Sequence, residues 1–365
     1  MIGELNKLEI GSEYWKFEGS LIKDNSKFWD LGKDTKFLLS GRTAIFYILK
    51  NILKYKNIRK VYMPSYSCYS MIQAFKDLEI EIEYYDVYFN EVLKYNIDLE
   101  NDSDIFFAMN YFGYSETNME EYIKKIKEKG KIVIEDITHS ILSKKRFSEY
   151  SDFLIASLRK WFPISSGGLA VNRKENFSLE LSENTNEKLI TLKNLAMENK
   201  KNYINKFEEN NIEDNQKEKN IFLKEYSESN EILEKDYQNY KIDENSYKIL
   251  MGIDIEEIIK KRRENVKLIY EKLSKNLNIK FLINNFKEDD CLLFVPIILN
   301  HKIRDDLRKF LIGNKVYLPV HWPLEERVNN IFDKELSLIC DQRYSISDIN
   351  YYLDLILDFL NGKVF

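Results

Sequence analysis

Two short segments of the chain carry residue types that could do chemistry together. Asp136 ends an apolar stretch, and His139 follows it three residues later. Lys160 follows a second apolar stretch, with Ser157 three residues before it and a pair of glycines after it. A carboxylate that keeps a pyridine nitrogen protonated and a lysine that binds an aldehyde as a Schiff base are what pyridoxal phosphate (PLP) requires of a protein. The order and spacing of the two segments therefore favour a PLP site.

Each of these residues also has a plainer interpretation. Asp136 could cap the N-terminus of a helix, as Asp often does at the exit of a strand. His139 could be a structural histidine, or it could stack beside the cofactor or hydrogen-bond its phenolic oxygen. Lys144 and Lys145 are rivals to Lys160, but they lie in a polar stretch. Because Lys160 lies between an apolar strand and an apolar turn, we expect it to be shielded from water, as an amine nucleophile requires.

A phosphate site is predicted at Gly41, Arg42 and Thr43. These residues follow Ser40 where a strand gives way to a helix. A helix that begins after a glycine offers free backbone N–H groups and the positive end of its dipole, which suits a phosphate. Ser157 could add a hydroxyl group. The chain has neither GxGxxG nor GxxxxGK[ST], so dinucleotide and P-loop sites lack their fingerprints.

A further segment, Pro64–Tyr69, opens a helix at another strand end. An aromatic side chain here could cover the ring of PLP, and Tyr69 is the better candidate. Cys68 borders the same position and is therefore grouped with Tyr69 as a cofactor-binding candidate. Because Cys68 has no evident His and Asn partners, we interpret it as a small packing residue rather than as a nucleophile.

The composition argues against several other classes of protein. The formal charge of −5 over 365 residues leaves no basic footprint for nucleic acid. No apolar stretch approaches the roughly 20 residues needed to cross a bilayer, and the N-terminus does not resemble a secretory leader. The cysteines Cys68, Cys291 and Cys340 are scattered without a CxxC pair, so neither a metal site nor a disulfide framework is indicated. We therefore expect a cytoplasmic protein whose partners are small molecules, not nucleic acid or membranes.

Up to Asn172 the chain alternates short apolar strands with helical stretches. Strands are predicted at 36–39, 60–63, 80–85, 104–109, 131–136, 152–157 and 169–172, and helices at 42–53, 69–78 and 119–129. This alternation predicts an α/β fold with a mostly parallel central sheet and helices on both faces. Ligands of such sheets bind at the carboxyl ends of the strands, where the candidate residues lie.

The rest of the chain predicts a connection and a smaller domain. Between Gly168 and Gly252 there is no glycine or proline, and the many Lys, Glu and Asn residues predict long helices with solvated charges and looser chain around 210–218. Helices at 255–273, 303–311 and 347–360 and strands at 291–299 and 316–319 predict an α+β domain. We therefore expect a large domain at residues 1–245 and a small C-terminal domain at 246–365.

Taken in order, these motifs resemble those of the DegT/DnrJ/EryC1/StrS aminotransferases, which are PLP-dependent sugar aminotransferases of the aspartate aminotransferase fold (fold type I). The resemblance is carried by residues 40–44, 63–68, 111–113, 135–136 with His139, and Ser157 and Lys160 with the glycine pair at 167–168. It continues more weakly through residues 262–265, 319–323 and 341–344.

The resemblance implies a specific enzyme. PLP would be bound covalently by Lys160, its pyridine nitrogen would pair with Asp136, and His139 would lie beside it. The turn at 41–43 and Ser157 would bind the phosphate. The family also implies a homodimer with active sites at the subunit interface. Its usual reaction moves an amino group from glutamate to a nucleotide-linked keto sugar, for surface polysaccharide or a glycosylated metabolite.

The small domain carries three candidate substrate residues. His321 and Trp322 lie in one polar-aromatic turn, and Arg343 lies in another. In the aspartate aminotransferase fold a small-domain arginine often receives a substrate carboxylate, because its planar guanidinium matches the carboxylate's geometry. Arg343 is therefore predicted to bind the amino donor.

Two alternatives to a sugar aminotransferase stay open. One is a PLP enzyme of the same fold with another reaction, either a sugar dehydratase or a transaminase of a non-sugar ketone. Dehydratases of this family have histidine in place of the lysine, so Lys160 argues against that reaction. The other alternative is a non-catalytic protein of the same fold that binds or regulates. Uptake of PLP would separate this last possibility from the enzymes.

Overall fold

The computed structural model describes residues 9–11, 13–117, 119–205, 212–323 and 331–362. Its strands are β1 (Ile10–Gly11), β2 (Asp34–Leu38), β3 (Lys60–Pro64), β4 (Glu81–Asn90), β5 (Val92–Asn96), β6 (Ile105–Met109), β7 (Ile132–Asp136), β8 (Phe153–Ser157), β9 (Gly168–Asn172), β10 (Lys280–Phe281), β11 (Phe294–Ile298), β12 (Val316–Tyr317) and β13 (Glu335–Ile339). Its helices are α1 (Gly41–Ile52), α2 (Tyr69–Lys76), α3 (Glu120–Glu128), α4 (Glu187–Asn205), α5 (Ile212–Lys235), α6 (Glu244–Gly252), α7 (Ile255–Leu273), α8 (His301–Gly313) and α9 (Ile346–Leu360).

The large sheet has eight strands in the order β2-β9-β8-β7-β6-β3-β4-β5. The five strands from β8 to β4 run parallel, while β9 is antiparallel to both of its neighbours and β5 is antiparallel to β4. Along β8 the side chains alternate between two hydrophobic clusters: Phe153 and Ile155 pack with α1, whereas Leu154 and Ala156 pack with α6. Because both faces are covered by helices, the predicted α/β fold with a mostly parallel sheet is confirmed.

A second, three-stranded antiparallel sheet, β10-β11-β13, lies with α7, α8 and α9 toward the C-terminus. The short strand β1 pairs in parallel with β12, so the N-terminal segment is tied to this C-terminal part of the chain. The predicted domain boundary at 245/246 falls inside α6, whose Ile249 and Leu250 pack in the cluster on the large sheet.

Several elements of the fold differ from those predicted from the sequence. Strands β1, β5, β10 and β13 were not predicted, because short or edge strands carry little periodic signal. The looser chain expected at 210–218 is wrong for residues 212–218, which are helical in α5, while 210 and 211 lie outside the described residues. No helix of the described residues is long and apolar enough to cross a membrane.

The charges of α4 were predicted to be solvated, and for two lysines that prediction is wrong. Lys193 is 3% exposed and Lys200 is 0% exposed. Lys193 lies 3.4 Å from the carboxylate of Glu13, and Lys200 lies 3.3 Å from that of Glu9. The N-terminal segment therefore packs on α4 and supplies the carboxylates that make burial of these amines tolerable.

Candidate active site

A cavity of about 350 Å³ opens at the carboxyl ends of the strands of the large sheet. It is lined by residues at or just after five of these strands: Ser40 and Gly41 after β2, Cys68 after β3, Met109 in β6, Asp136 in β7 and Ser157 in β8. The topology thus brings together residues that are far apart in sequence. We refer to this space as the first cavity.

Asp136 lies in the wall of the first cavity and is 4% exposed. Its Oδ1 accepts a hydrogen bond of 2.7 Å from the backbone N–H of Thr138. Burial raises the pKa of the Asp136 carboxyl above its ordinary value, while the hydrogen bonds with Thr138 and the positive charge of Lys160 act in the opposite direction. Asp136 is therefore a largely desolvated carboxyl that a cation in the cavity would hold in its ionised form.

Lys160 ends a short 3-10 turn, Leu158–Lys160, that follows β8. Its side chain lines the first cavity and also a second one described below. Among the described residues that line these two cavities it is the only lysine, whereas Lys144 and Lys145 pair with Asp289 and Glu120 elsewhere. The expectation that Lys160 is shielded from water is wrong, because the residue is exposed to the cavities rather than enclosed by apolar neighbours.

The N-terminus of α1 forms one corner of the first cavity. Ser40 caps the helix, with its Oγ accepting a 3.2 Å hydrogen bond from the backbone N–H of Thr43. A Cβ added to Gly41 would lie 3.0 Å from the Cβ of Ser157, and one added to Gly168 would lie 2.0 Å from the carbonyl oxygen of Ser40. The glycines therefore let β8, β9 and the start of α1 approach one another at this corner.

The three residues predicted to bind phosphate at this corner have different surroundings. Gly41 and Arg42 line the cavity. The guanidinium of Arg42 donates to the carbonyl of Leu233 at 3.3 Å, and burial lowers its pKa. Thr43 is buried, and its hydroxyl donates to the carbonyl of Tyr237 at 2.8 Å. The Thr43 side chain thus holds α1 against the chain after α5, and it is not among the lining residues.

The wall toward α2 is formed by sulfur-bearing side chains. Cys68, the N-cap of α2, lines the cavity with its Sγ 3.1 Å from the hydroxyl of Ser70, and Met71 lines it one turn further on. Tyr69 is not brought to the cavity: it is 56% exposed, and the amine of Lys76 lies over its ring. The helix begins at Tyr69, so residues 68 and 71 share a face from which Tyr69 is turned away.

His139 is completely buried and does not line either cavity. Its Nδ1 accepts a 3.0 Å hydrogen bond from the backbone N–H of Phe112, and its Nε2 has no partner among the described residues. Burial lowers the pKa of His139 well below its ordinary value, as do the charges of Lys160 and His321. His139 is therefore neutral and carries its proton on Nε2.

Trp322 packs against His139 outside the two cavities. The two rings stack at 5.7 Å with an interplanar angle of 26°, and Trp322 also stacks on Phe112 at 6.3 Å. Trp322 is buried and is not among the residues that line the cavities. These contacts link the C-terminal part of the chain to the chain after β6 and β7.

A second cavity of about 420 Å³ adjoins the first and shares Glu13, Arg159 and Lys160 with it. Two of the predicted substrate residues, His321 and Arg343, line this second cavity. The Nδ1 of His321 lies 2.8 Å from the hydroxyl of Ser337, with which it shares a hydrogen bond. The second cavity therefore lies between the lysine turn and the C-terminal part of the chain.

Arg343 is held tightly by protein groups. Its Nε and Nη2 donate to the two carboxylate oxygens of Asp341 at 3.0 and 2.8 Å, and its Nη1 donates to the carbonyl of Glu13 at 3.0 Å. Burial acts to lower the pKa of Arg343, but Asp341 outweighs it and raises that pKa. The fork that a substrate carboxylate would use is thus already engaged by Asp341.

Sequence reasoning missed three polar residues of the site. Thr138 accepts from the backbone N–H of Ser157 through its hydroxyl at 2.9 Å and from the indole N–H of Trp161 through its carbonyl at 2.6 Å, so it fixes the lysine turn to the end of β7. Arg159 precedes Lys160 directly, which was the available signal for it. Glu13 belongs to the N-terminal segment and lines both cavities, and no local sequence pattern predicts that position.

The fold as a whole is shared with aminotransferases of known structure. The aminotransferase TlmJ of Streptoalloteichus hindustanus is 12% identical with a TM-score of 0.62, over 93% of this chain and 89% of TlmJ. PseC of Helicobacter pylori, an aminotransferase involved in the biosynthesis of pseudoaminic acid, is 12% identical with a TM-score of 0.64, over 97% of this chain and 100% of PseC. The PLP form of Spr1654 from Streptococcus pneumoniae is 12% identical with a TM-score of 0.62, over 98% of this chain and 100% of that one.

At this level of identity the similarity concerns the fold. The sequence alone matches no family model and no curated protein. The structural neighbours confirm the fold type I architecture that the resemblance implied, and the three named above are aminotransferases.

Proposed function

We propose that the protein is a PLP-dependent aminotransferase that moves an amino group from an amino acid, glutamate in the first instance, to a nucleotide-linked keto sugar. One observation carries the proposal: in a fold shared with aminotransferases, Asp136, Lys160 and the N-terminus of α1 line one cavity. The motif resemblance supports the sugar acceptor, a homodimer with active sites at its interface and a cytoplasmic role in making surface polysaccharide or a glycosylated metabolite.

The residues of the first cavity fit PLP. The desolvated carboxyl of Asp136 suits a pyridinium nitrogen, and the amine of Lys160 suits the aldehyde. The start of α1 at Gly41, with Arg42 and the hydroxyl of Ser157 beside it, supplies the backbone donors and positive charge that a phosphate requires. Cys68 and Met71 offer apolar, polarisable contacts to a flat ring.

Each of these residues has a separate role that follows from its chemistry. When bound, PLP supplies a protonated ring that accepts electrons from a substrate carbon. The Asp136 carboxylate holds the proton on the ring nitrogen, since the buried acid gains its counter-ion there. The Nζ of Lys160 would bind the aldehyde and, once displaced by the amine of a substrate, would be the base that takes the proton from the amine-bearing carbon and the acid that returns it to the former aldehyde carbon. Thr138 keeps the lysine turn in place against β7.

Transfer from the donor can be tested without knowing the sugar. PLP-loaded protein is incubated with glutamate and no acceptor, and 2-oxoglutarate is quantified. We expect about one 2-oxoglutarate per subunit, none from Lys160→Ala, and an unchanged yield from Lys144→Ala, whose lysine pairs with Asp289 outside both cavities. A PLP-loaded protein that releases no oxo acid from any common amino acid would favour the non-catalytic alternative.

The acceptor is tested next, by adding nucleotide-linked keto sugars to the same reaction. Multiple turnovers with such a sugar support the proposal, whereas turnover with simple ketones alone favours the non-sugar transaminase. Sedimentation of the loaded protein checks the dimer: a species of about twice the chain mass of 43.7 kDa is expected, and a monomer with full activity would overturn that part of the proposal.

A further inference from the structure

Arg159 places its guanidinium at the junction of the two cavities. The residue is half-buried and lines both of them. Its Nε is buried without a hydrogen-bond partner, and no hydrogen bond or ion pair to its guanidinium is found in the part of the chain that the structure describes. A guanidinium in a protein stays charged, and desolvating it without a partner costs free energy. A charge retained at such a cost indicates a ligand.

The charges around Arg159 leave this junction positive. The opposite charge that acts on it comes from Glu13, whose carboxylate is engaged by the amine of Lys193 at 3.4 Å. Arg42 acts on it with the same sign, and Lys160 is its chain neighbour. Glu13 is the stronger of these influences but is shared with Lys193, whereas Arg42 and Lys160 carry the same charge as Arg159; positive groups therefore outnumber negative ones at the junction, which favours an anionic ligand.

The other arginines of the second cavity are engaged by protein groups. The fork of Arg343 is closed by Asp341. Buried Arg262 donates to the carbonyls of Leu292 and Leu293, to Gln342 and to Tyr14. The exposed Arg308 donates its Nε to a carbonyl at 3.3 Å. Arg308 keeps its two Nη groups open but lines the second cavity alone, so among the described arginines Arg159 is the one with an open fork that lines both cavities and adjoins Lys160.

We propose that Arg159 binds a carboxylate of the amino donor. This inference rests on the proposed aminotransferase function, because it takes the ligand to be an amino acid that reacts at Lys160. An α-amino acid carries its carboxylate on the carbon that bears the amine, so a donor beside Lys160 brings a carboxylate to the neighbouring residue. The planar guanidinium fork accepts a carboxylate through two parallel hydrogen bonds.

The test uses glutarate, an unreactive dicarboxylate, as the probe. Its dissociation constant is measured by calorimetry for wild type, Arg159→Gln, Arg159→Lys and the control Arg263→Gln, whose arginine lines neither cavity, each with and without PLP. We expect Arg159→Gln to weaken glutarate binding about 10- to 100-fold, as loss of a charged bidentate contact does. The glutarate affinity of Arg159→Lys should lie between those of wild type and Arg159→Gln, and Arg263→Gln should bind glutarate like wild type. The PLP affinity of Arg159→Gln should stay within about threefold.

Three results would overturn the inference. Unchanged glutarate binding by Arg159→Gln would mean that the carboxylate binds elsewhere. A large loss of PLP affinity with glutarate binding retained would assign Arg159 to the cofactor phosphate. A lowered melting temperature of Arg159→Gln would contradict the absence of a protein partner, since removing an unpaired desolvated charge should leave stability equal or higher.

The failure of this inference can be told from that of the proposed function. If wild-type protein takes up no PLP, the enzyme proposal fails, and the glutarate titrations without PLP still decide whether Arg159 binds a carboxylate. If wild type takes up PLP and releases 2-oxoglutarate but Arg159→Gln binds glutarate normally, only the role of Arg159 is refuted.

Discussion

Replacing Gly168 by alanine should disturb the fold and the cofactor cavity together. A Cβ at this position would lie 2.0 Å from the carbonyl oxygen of Ser40 and 3.0 Å from the backbone nitrogen of Gly41. Both are backbone atoms, so no side chain can rotate out of the way. The start of α1 and strand β9 must therefore move apart to admit a single methyl group.

The loss of unfolding free energy expected for Gly168→Ala follows from the backbone groups that must move. Forcing an extra methyl group into a packed site costs about 1–3 kcal/mol. Gly168 also pairs with Leu38 of β2 and Ser157 of β8, and each ladder hydrogen bond lost adds about 1 kcal/mol. We expect Gly168→Ala to lower the free energy of unfolding by about 3 kcal/mol. Its PLP affinity should fall about tenfold or more, because the displaced turn is the predicted phosphate site.

Gly313→Ala is the matched control. Gly313 ends α8, and a Cβ there would meet no atom within 4 Å. Alanine in a helix should raise the free energy of unfolding by about 0.5–1 kcal/mol and leave PLP binding unchanged. Urea unfolding followed by circular dichroism, with a PLP titration, measures both variants. If Gly168→Ala proved as stable as Gly313→Ala and bound PLP equally well, the close approach of β9 to α1 would be wrong.

Three other substitutions test the electrostatics. Burial raises the pKa of the Asp136 carboxyl, so the folded protein loses stability at pH values where that carboxyl is ionised. Asp136→Asn should therefore raise the melting temperature at pH 7, and this gain should shrink as the pH falls toward 3.8. The same substitution should weaken PLP binding. Burial lowers the pKa of Lys200 to about 8 against the opposing charge of Glu9, so wild type should gain stability over Lys200→Met between pH 8 and 10.5. Arg343→Ala should cost about 3–5 kcal/mol, because it leaves the Asp341 carboxylate buried and unpaired.

Thermal unfolding over a pH series checks all three, and each has a result that contradicts it. A stability difference between wild type and Asp136→Asn that does not change with pH would mean that the carboxyl is not desolvated. A wild type that loses stability relative to Lys200→Met above pH 8 would reverse the sign argued from burial. An Arg343→Ala protein of wild-type stability would show that the pair with Asp341 is solvated.

The sequence predicted those parts of the site that depend on local order. Asp136 and Ser157 end strands, and Gly41 and Cys68 follow strands, so the parallel topology alone brings them to one edge of the sheet. Lys160 was predicted as the cofactor lysine from its position just after β8. These predictions needed the order of elements and no knowledge of side-chain contacts.

The remaining features depend on helix phase and on distant contacts. The start of α2 was predicted at residue 69, but the sequence does not tell which face of the helix packs toward the cavity; that face carries Cys68 and Met71 and not Tyr69. The resemblance placed His139 beside the cofactor, but residues 138–140 form a turn that directs it toward Phe112. The approach of Glu13 to Lys193 joins residues separated by most of the large domain, and no spacing in the sequence encodes it.

Covalent attachment of PLP at Lys160 tests the central claim most directly. The protein is incubated with PLP, its visible absorption is recorded, and it is reduced with borohydride before peptide mass spectrometry. The account predicts a visible band and a pyridoxyl group on the peptide that contains Lys160, with neither in Lys160→Ala. Stable modification of another lysine, or a protein that remains colourless at saturating PLP, would contradict it.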